Sequence, residues 1–486
     1  MIEYGYKKFI KEYGLRKISF IAAAVLTFTA LDGLASSFSS GEALSEEETG
    51  NDVQLIDGNF IGIDEESASQ ISDGEYITVY KSDKINLTVS AEEKIAAVYI
   101  VWNTPPEEYS VNNNNITDGF LHKLIEFDDP IDAFTLRCEN KTELCDIYLY
   151  ASKVYPEETE RWSDPCERAD MLVLSTHADD EYLMFGGTIP YYAKEKGLQV
   201  QVVYLTTHWL EQPRPHELLN GLWKAGVKNY PVFGVISDIP LKPIWTLQEA
   251  AELYDFNEVL DWFTEQIRRF RPSVIVTHDK NGEYGHGAHK LAAKTVMDAV
   301  EISANADHFP LSAEKYGVWD VPKTYLHFWS ENTITMDWEQ PLESFGGITA
   351  REAASLAYGC HKSQHIWGYA VGYQENWDCR QFGLYRSLVG TDEKADFMDH
   401  IIPVDITEET AASEPVTEAK TSPAETSFAK TQSERTEISD TISSGQDSSN
   451  GYKSENDPSV YLIAAGVAIF AVIIIVLLIN IIRRRK

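Results

Sequence analysis

A histidine followed closely by two adjacent aspartates is the first group in this sequence that could do chemistry. His177, Asp179 and Asp180 stand directly after a short apolar run. An imidazole and a carboxylate are ligands that zinc takes, and a second carboxylate beside them can act as a base. An acidic turn at a helix N-terminus would use the same residue types, so this cluster alone leaves both interpretations open.

A second cluster places three of the chain's 12 histidines in one stretch of twelve residues, at His278, His286 and His289. His286 and His289 are three positions apart, so on a helical turn they project to the same side. One could bind a metal while the other faces a substrate. Together with His177, this second cluster favours zinc.

Both clusters follow apolar runs that predict buried parallel strands. Parallel sheets bind ligands beyond the carboxyl ends of their strands, where both clusters would lie. The alternation of strands and helices predicts an α/β fold with a doubly wound, mostly parallel sheet. Its predicted strands are residues 171–174, 200–205, 230–235 and 273–276, and its predicted helices are residues 187–197, 217–226 and 247–270, with another beginning near residue 288.

A different pattern precedes this region. Short β-rich runs at 76–80, 85–89, 97–102 and 147–150 alternate with turn residues, which predicts a small all-β sandwich or jelly-roll domain. Trp102 and Tyr109 could stack on a sugar there, although aromatic residues in β domains belong more often to the core.

The two clusters together resemble the motifs of the PIG-L/LmbE family of zinc-dependent N-acetylglucosaminyl deacetylases, over about residues 170–387. The resemblance implies a Rossmann-like, LmbE-like fold and removal of an acetyl group from an amino sugar. The matching segments are Thr176-His177-Ala178-Asp179-Asp180-Glu181, Gly186-Gly187-Thr188, Arg214-Pro215-His216-Glu217, Gly285-His286-Gly287-Ala288-His289 and His361-Lys362-Ser363-Gln364.

The resemblance implies that His177, Asp180 and His289 bind Zn²⁺ and leave one position open, as in catalytic zinc sites. Asp179 is implied to be the general base that takes a proton from the attacking water. His286, off the metal, would protonate the leaving amine or support the tetrahedral intermediate.

Two further roles follow from the resemblance. Tyr284 would polarise the carbonyl, and Arg214 would bind the sugar or its substituent. The sequence departs from the family where Ala178 replaces a proline and where Gly287-Ala288 replaces Pro-Asp. The second departure removes a carboxylate that could have oriented or charged His286.

The composition limits the partners and the disulfides. A formal net charge of −35 argues against nucleic acid, because phosphate binding needs a cationic surface. Five cysteines permit disulfides without forming a dense framework. Cys138 and Cys145 could close a hairpin, and Cys166, Cys360 and Cys379 could supply one further pair.

The two ends of the chain predict export. Basic residues followed by an apolar run at residues 18–31 indicate a signal segment, cleaved or retained, and the apolar run 459–482 before Arg483-Arg484-Arg485-Lys486 indicates a membrane helix. We therefore expect a single-pass protein of the cell membrane with its catalytic domain outside. The expected divisions are 1–35 signal peptide, 36–51 flexible segment, 52–155 β domain, 166–400 deacetylase domain, 401–458 disordered stalk, 459–482 transmembrane helix and 483–486 cytoplasmic tail.

The function expected from these observations is zinc-dependent deacetylation of an N-acetylglucosamine-containing glycan, such as a cell-surface or cell-wall glycan. Two alternatives stay open. One is a zinc amidase acting on another N-acylated compound, and the other is a surface glycan-binding protein without catalysis. An intact Asp179 beside a full ligand set favours the enzyme, because a binding protein does not need a free base.

Overall fold

The computed structural model describes residues 53–234, 236–237, 244–374 and 376–402. Two sheets dominate this part of the chain: an antiparallel sheet of eight strands, β1 to β8, and a mixed sheet of six strands. The strands are β1 Leu55–Ile56, β2 Asn59–Ile61, β3 Tyr80–Ser82, β4 Ile85–Trp102, β5 Tyr109–Val111, β6 Asn114–Ile116, β7 His122–Cys138, β8 Thr142–Tyr150, β9 Met171–Ser175, β10 Val200–Tyr204, β11 Val274–Thr277, β12 Lys323–His327, β13 Thr333–Thr335, β14 Tyr373–Gln374, β15 Trp377–Asp378 and β16 Gln381–Ser387.

Eight α-helices accompany these strands in the described residues, together with shorter helical turns. The α-helices are α1 Glu65–Gln70, α2 Asp180–Leu183, α3 Arg214–Lys224, α4 Leu247–Tyr254, α5 Phe256–Phe270, α6 Gly287–Ile302, α7 Pro310–Tyr316 and α8 Ala350–Tyr358. A π-helix spans Pro190–Glu195, and 3-10 turns span Glu283–Gly285, Glu343–Phe345 and Lys362–Trp367.

The antiparallel sheet has the order β1-β8-β4-β7-β5-β6, with β2 paired to β4 and β3 to β8. Strand β4 changes its burial pattern along its length. In its first half, buried Ile85, Leu87 and Val89 alternate with more exposed residues, so one face meets solvent. From Ile95 to Trp102 every residue is buried, because both faces of the sheet are covered there.

The sequence predicts a small all-β sandwich or jelly roll for these strands. All eight strands belong to one hydrogen-bonded sheet, in which β4 and β7 run through 18 and 17 residues. Register shifts between Ser90 and Ala97 allow such long strands to bend. An independent all-β domain therefore stays a prediction.

The mixed sheet has the order β10-β9-β11-β12-β16-β13. Strands β10, β9, β11 and β12 are parallel neighbours, and β16 and β13 add two antiparallel pairings. Strands β9 and β10 are buried at every position, as expected for a sheet covered on both faces. The prediction of a mostly parallel α/β sheet agrees with this topology.

Three predicted elements differ in detail. The single helix expected over 247–270 divides at Asp255, whose side chain accepts hydrogen bonds from the backbone N–H groups of Asn257 and Glu258 and so starts a second helix. The strand expected over 230–235 is reduced to isolated bridges at Val232 and Ile236. The helix expected over 187–197 contains the π-helical turn that begins at Pro190.

The two sheets share one continuous hydrophobic core. It contains Leu87 and Val98 of β4 as well as Met171 and Val173 of β9. Tyr230, from the α/β half, lies across this junction: its ring stacks on Phe120 at a centroid distance of 4.1 Å. Its hydroxyl accepts a hydrogen bond from the N–H of Leu121 at 3.0 Å.

Two other expectations concern the aromatic residues of the antiparallel sheet and the cysteines. Trp102 and Tyr109 have only 0% and 2% of their surface exposed, so they are core residues and cannot stack on a sugar. All five cysteines are free thiols, and neither suggested disulfide is present.

The expected location at the cell membrane is contradicted. The described residues include no helix long and apolar enough to cross a bilayer. The segments expected to be the signal, the stalk and the transmembrane helix lie outside the described residues. The remaining domain boundaries stay predictions.

Candidate active site

The two histidine-containing segments leave the same edge of the mixed sheet. Strand β9 ends at Ser175 and the parallel neighbouring strand β11 ends at Thr277, with Met171 in register with Val274. Each cluster begins within two residues of its strand end. The carboxyl ends of adjacent parallel strands thus bring together residues about one hundred positions apart in the chain.

His177, Asp180 and His289 converge on one point. Oδ2 of Asp180 lies 3.1 Å from Nδ1 of His177 and 3.1 Å from Nε2 of His289. The two imidazole nitrogens are also 3.1 Å apart. All three residues are buried, with 7%, 2% and 0% of their surface exposed, respectively. Three atoms of the kinds that bind metals therefore face one another among buried side chains.

The charged side chains of this group shift one another's pKa values. Burial alone would raise the pKa of the Asp180 carboxyl, but His289 and His177 outweigh it and hold that pKa well below its ordinary value. Burial disfavours a charged His289, whereas the carboxylates of Asp180 and Glu283 raise its pKa to about 10. A metal ion at this point would compete with that proton, since a histidine ligand binds through a free lone pair.

Glu283 holds three histidines from one buried position. Its Oε2 atom accepts hydrogen bonds from Nδ1 of His278 at 2.9 Å and of His289 at 2.8 Å. Its Oε1 atom lies 2.8 Å from Nδ1 of His327. Because Nδ1 of His289 donates its proton to Glu283, the Nε2 lone pair of His289 is directed to Asp180 and His177.

His278 is close to the same point but is engaged elsewhere. Its Nε2 atom lies 3.8 Å from Asp180 and, at 2.9 Å, accepts a hydrogen bond from the backbone N–H of Thr176. Its Nδ1 atom donates to Glu283. Both ring nitrogens are thus used, so His278 joins the strand ends and has no lone pair left for a metal.

His286 adjoins the converging group without a carboxylate of its own. Its ring centroid lies 4.9 Å from that of His177 and 4.7 Å from that of His289, and the three side chains could also surround a metal. Its Nδ1 atom is buried and has no hydrogen-bond partner among the described residues. Burial, together with His289 and His177, lowers its pKa to about 2, so its imidazole is neutral.

Gly287 explains one departure from the family motif. Its backbone N–H donates a 2.7 Å hydrogen bond to the carbonyl of Ile244, which a proline could not do. A Cβ atom at this position would lie 2.5 Å from Cγ2 of Ile244 and 2.8 Å from the carbonyl oxygen of Thr246. Residues 244–246 therefore occupy the space that the proline ring of the family motif would fill.

Asp179 occupies an unusual backbone conformation, with φ 129° and ψ −26°. Its N–H donates to Oε2 of Glu181 at 2.8 Å. Nε2 of His361 lies 3.2 Å from the other oxygen of Glu181. A non-glycine residue at this φ stores strain of about 1–3 kcal/mol, which clusters at functional sites.

The carboxyl of Asp179 is neither strongly paired nor exposed. Burial raises its pKa to about 6, the positive charge of Arg214 opposes this shift, and the negative charge of Asp180 adds to it. Nη2 of Arg214 lies 3.5 Å from Oδ1 of Asp179. A carboxyl that titrates near neutrality can accept a proton and later release it.

Arg214 supports the turn that carries Asp179. It is only 8% exposed, and its Nε and Nη2 atoms donate to the carbonyl of Ala178 at 3.3 and 3.1 Å. Its Nη1 atom donates to Glu211, which also contacts Nδ1 of His208 at 2.6 Å. Nε2 of His208 in turn accepts the N–H of Ala178 at 3.1 Å. These contacts hold the turn, and contact of Arg214 with a sugar stays a prediction.

Tyr284 lies at the mouth of the pocket and is 38% exposed. Its ring stands 5.5 Å from that of His289 and 5.7 Å from that of His286. On its other side it stacks on Tyr369 at 6.0 Å with an interplanar angle of 17°. This position allows contact with a ligand that enters the pocket.

All seven residues named from the sequence thus lie in one place, and several of their supporting residues were missed. Glu283 stands in the second cluster, but a glutamate in a turn carries no sequence signal of contact with three histidines. His208 and Glu211 belong to none of the quoted segments. Glu181, adjacent to the two aspartates, and His361 each belong to a quoted segment, but neither was assigned a role in the site.

Comparison with known proteins agrees with the motifs. Residues 172–300 match the family model described as PIG-L, GlcNAc-PI de-N-acetylase. A 1D-myo-inositol 2-acetamido-2-deoxy-alpha-D-glucopyranoside deacetylase of Catenulispora acidiphila is 27% identical over 225 residues, which are 40% of this chain and 68% of that protein. The deacetylase of the same name from Mycobacterium leprae is 31% identical over 187 residues, covering 33% of this chain and 59% of that protein.

Among solved structures, N,N'-diacetylchitobiose deacetylase from Pyrococcus horikoshii aligns with 43% of this chain and 76% of its own, at 19% identity and a TM-score of 0.32. The family match covers both strand ends and both histidine-containing segments. Over residues 172–300 the chain is similar to PIG-L/LmbE-like N-acetylglucosaminyl deacetylases.

Proposed function

We propose that this protein is a zinc-dependent N-deacetylase that hydrolyses the acetamide of an N-acetylglucosamine-containing compound. The observation that carries the proposal is the convergence of His177, Asp180 and His289 within 3.1 Å of one another, with the carboxyl of Asp179 beside them. The family match over residues 172–300 supports the same chemistry.

The donor atoms fit zinc. Two imidazole nitrogens and one carboxylate oxygen are the ligand set of many catalytic zinc sites, which keep a fourth position open. Ligands about 2.0–2.1 Å from a tetrahedral zinc would lie about 3.3 Å apart, close to the 3.1 Å separations in this pocket. His177, Asp180 and His289 would hold the ion, with Glu283 fixing the ring of His289.

Zinc, when bound, supplies a Lewis acid that polarises a carbonyl and lowers the pKa of water. The rest of the reaction is assigned to side chains of this chain. Asp179 takes a proton from the water that attacks the acetyl carbonyl carbon. The same carboxyl then delivers that proton to the leaving amine nitrogen as the C–N bond breaks, so that acetic acid and a free amine are formed and then ionise to acetate and an ammonium group.

His286 and Tyr284 are assigned to the reacting carbonyl. A neutral His286 ring can donate one N–H to the oxygen that becomes negative in the tetrahedral intermediate. The sequence resemblance leaves two roles for His286, protonation of the leaving amine and support of the tetrahedral intermediate. The second role is favoured because the ring has no adjacent carboxylate that would keep it protonated. Tyr284, at the mouth, can donate its hydroxyl to the same carbonyl.

Arg214 is assigned a positioning role. Its contacts with Ala178 and its position 3.5 Å from Asp179 support a role in holding the turn and the charge of the base. Direct contact with a sugar, which the sequence resemblance implies, is less well supported because the side chain is 8% exposed.

The substrate class is inferred from relatives. The similar curated proteins are named for an acetamido-glucopyranoside substrate. We infer an N-acetylated amino sugar for this chain, with the remainder of the substrate open. A zinc amidase acting on another N-acylated compound would use the same zinc and the same base, so only substrate tests separate the two.

Zinc content and acetate release test the proposal together. The wild-type chain is expected to hold about one zinc and to release acetate from a panel of N-acetylglucosamine, N,N'-diacetylchitobiose and a GlcNAc–inositol conjugate. Asp179→Asn should keep the zinc and lose about 100-fold or more of kcat. His289→Ala should lose both.

An N-acetylated amino acid in the same panel separates the two hydrolase hypotheses. Acetate released from the sugars alone supports the amino-sugar assignment, and acetate released from the amino acid alone supports the broader amidase. A wild-type protein without zinc, or unchanged turnover in Asp179→Asn, would refute the mechanism.

A further inference from the structure

A groove lies outside the proposed active site, between the antiparallel sheet and the α/β half. It encloses about 1440 Å³ and is lined by residues of both halves, including Tyr76 and Tyr148 on the sheet side and Trp223 and Lys224 of α3 on the other. The proposed zinc ligands and Asp179 do not line it. Pockets for single small ligands enclose about 300–1,000 Å³, so this groove has room for an extended ligand.

Three of the cations on one wall of this groove lie close to aromatic rings, two of them at Trp223. Nζ of Lys228 lies 3.4 Å above the indole ring, and the guanidinium of Arg161 lies 5.8 Å from it. Lys194, also on this wall, lies 4.2 Å above the ring of Phe345. Aromatic rings hold cations in place without neutralising their charge.

This cluster is electrostatically unfavourable as it stands. Burial lowers the pKa of Lys228, and the positive charges of Arg161 and Lys194 lower it further, while Glu157 acts in the opposite direction. Within the described ranges, none of these three cations forms an ion pair with a carboxylate. Grouped cations of this kind are unexpected in a chain with a formal net charge of −35.

The facing wall has a different character. Tyr76 and Tyr148, both half-buried, line it and carry hydroxyl groups, whereas Tyr150 behind them is a core residue whose hydroxyl bonds to Thr159. A sugar ring has apolar faces and a polar edge, so it can pack on such rings and bond to their hydroxyls. Glu157 and Glu158 also line the groove and would repel an anion that was not held close to the cations.

We propose that this groove binds an anionic oligosaccharide, with a carboxylate or phosphate held by Arg161, Lys194 and Lys228 and sugar rings packed against the tyrosines. Such a site is separate from the proposed zinc chemistry. It would hold a charged part of a glycan against α3, which supplies Trp223 and Lys224 to the groove. Helix α3 begins with Arg214, so the two sites share one element.

Isothermal titration calorimetry of the full chain with hexagalacturonate tests this assignment. This probe carries carboxylates and no acetamide, so it reports binding without hydrolysis and its result does not depend on the proposed function. Chitohexaose, neutral and of the same length, should bind in the groove far more weakly. To exclude its binding at the zinc site, it is titrated into the Asp179→Asn variant in the presence of EDTA.

The variants Lys228→Gln and Arg161→Gln should each weaken hexagalacturonate binding about tenfold, the effect of losing one charge-assisted hydrogen bond. Lys315→Gln is the matched control, because Lys315 also lies over an aromatic ring, at 4.6 Å, but outside the groove. It should bind as the wild type does. Circular dichroism and thermal melting check that the variants are folded.

Inorganic phosphate, compared with sodium chloride at equal ionic strength, separates the two sources of negative charge. Displacement of hexagalacturonate beyond the salt effect indicates that phosphate oxygens fit the cation cluster, and no excess displacement indicates a carboxylate site. The proposal is overturned if hexagalacturonate does not bind, if chitohexaose binds equally well, or if both groove variants bind like the wild type.

Discussion

Glu283 is the residue on which the arrangement of histidines depends most. One buried carboxylate accepts hydrogen bonds from His278 and His289 and contacts His327. It thereby fixes which nitrogen of His289 faces Asp180. A second carboxylate nearby, that of Asp279, accepts instead from the backbone and side chain of Asn281.

Glu283→Gln is therefore expected to weaken zinc binding about 10–100-fold, as loss of a hydrogen-bond partner behind a metal ligand does. Asp279→Asn removes a carboxyl group only four residues away and should leave zinc affinity nearly unchanged. Competition with a chromophoric chelator measures both. Equal affinities for the two variants would show that Glu283 does not orient the ligands.

Asp179 combines backbone strain with the proposed chemistry. Its φ of 129° suits glycine, while its carboxyl is needed as a base. Replacement of Asp179 by glycine should therefore relieve strain in the fold and abolish the activity.

Two substitutions that remove the same carboxyl test this. Asp179→Gly is expected to be more stable than Asp179→Ala by about 1 kcal/mol or more, because only glycine relaxes at this φ. Both variants should be inactive. Urea denaturation in the presence of EDTA, which removes the contribution of metal binding, measures the difference. Greater stability of the alanine variant would show that the turn is unstrained.

At the scale of elements, helix α3 connects the catalytic turn to the antiparallel sheet. Arg214 at its start supports Ala178, and Nδ1 of His216, two residues further on, lies 2.8 Å from Nε2 of His122 in β7. His122 is held by Glu160, whose Oε2 atom lies 2.7 Å from its Nδ1. All three members of this chain, from Glu160 through His122 to His216, are fully buried.

Glu160→Gln is expected to destabilise the protein by about 1–3 kcal/mol, because it replaces a charged acceptor that is buried with its donors. The donors are Nδ1 of His122 and Nε1 of Trp162, the latter at 2.5 Å. Glu126→Gln, at an exposed carboxylate that contacts the hydroxyl of Tyr155, should change stability by less than about 0.5 kcal/mol. Urea denaturation compares the two, and equal effects would contradict the inferred docking of α3.

Asp146 in strand β8 makes the stability of the fold depend on pH. Burial raises the pKa of Asp146 to about 6; the N–H of Gly74 opposes this shift, and the negative charge of Asp73 adds to it. Glu75 and Tyr148 also face this carboxyl. The folded state thus binds the proton more tightly than the unfolded state does.

A raised carboxyl pKa means that stability from this group is present at low pH and is lost as the pH rises from about 4 to above 6. Asp146→Asn, which mimics the neutral form, should therefore show a smaller loss of stability between pH 5 and pH 7 than the wild type. Unfolding free energies at several pH values measure this. An identical pH dependence of wild type and variant would assign the effect to other groups.

At the scale of the whole molecule, the antiparallel sheet and the α/β half share one hydrophobic core over the described residues. The shared core includes Leu87 and Val98 together with Met171 and Val173. The contact of Phe120 and Leu121 with Tyr230 extends this junction. Separation of the two parts would expose apolar surface on both.

Residues 166–402 expressed alone are accordingly expected to melt at a lower temperature than the full chain and to bind a hydrophobic dye. Burial of apolar surface contributes about 25 cal/mol per Å², so loss of this junction should cost several kcal/mol. Thermal unfolding with and without the dye measures the effect. An isolated α/β part that melts at the temperature of the full chain would establish it as an independent domain.

Much of the proposed catalytic arrangement is determined by the sequence itself. The residue types of His177, Asp179, Asp180, His286 and His289, and their spacing after apolar runs, were sufficient to predict both strand ends and the family. This is because motif residues are close in sequence and parallel strands bring their ends together. The mostly parallel α/β sheet followed from the same periodicity.

Tertiary structure alone decided what surrounds those residues. That Glu283 contacts three histidines, that Arg214 supports a turn, and that Trp102 is core all depend on contacts between distant segments. The same holds for the single bent sheet where a sandwich was expected, since local alternation cannot tell which strands pair. Side-chain chemistry is local and readable along the chain, whereas packing partners and burial are set only when the chain has folded.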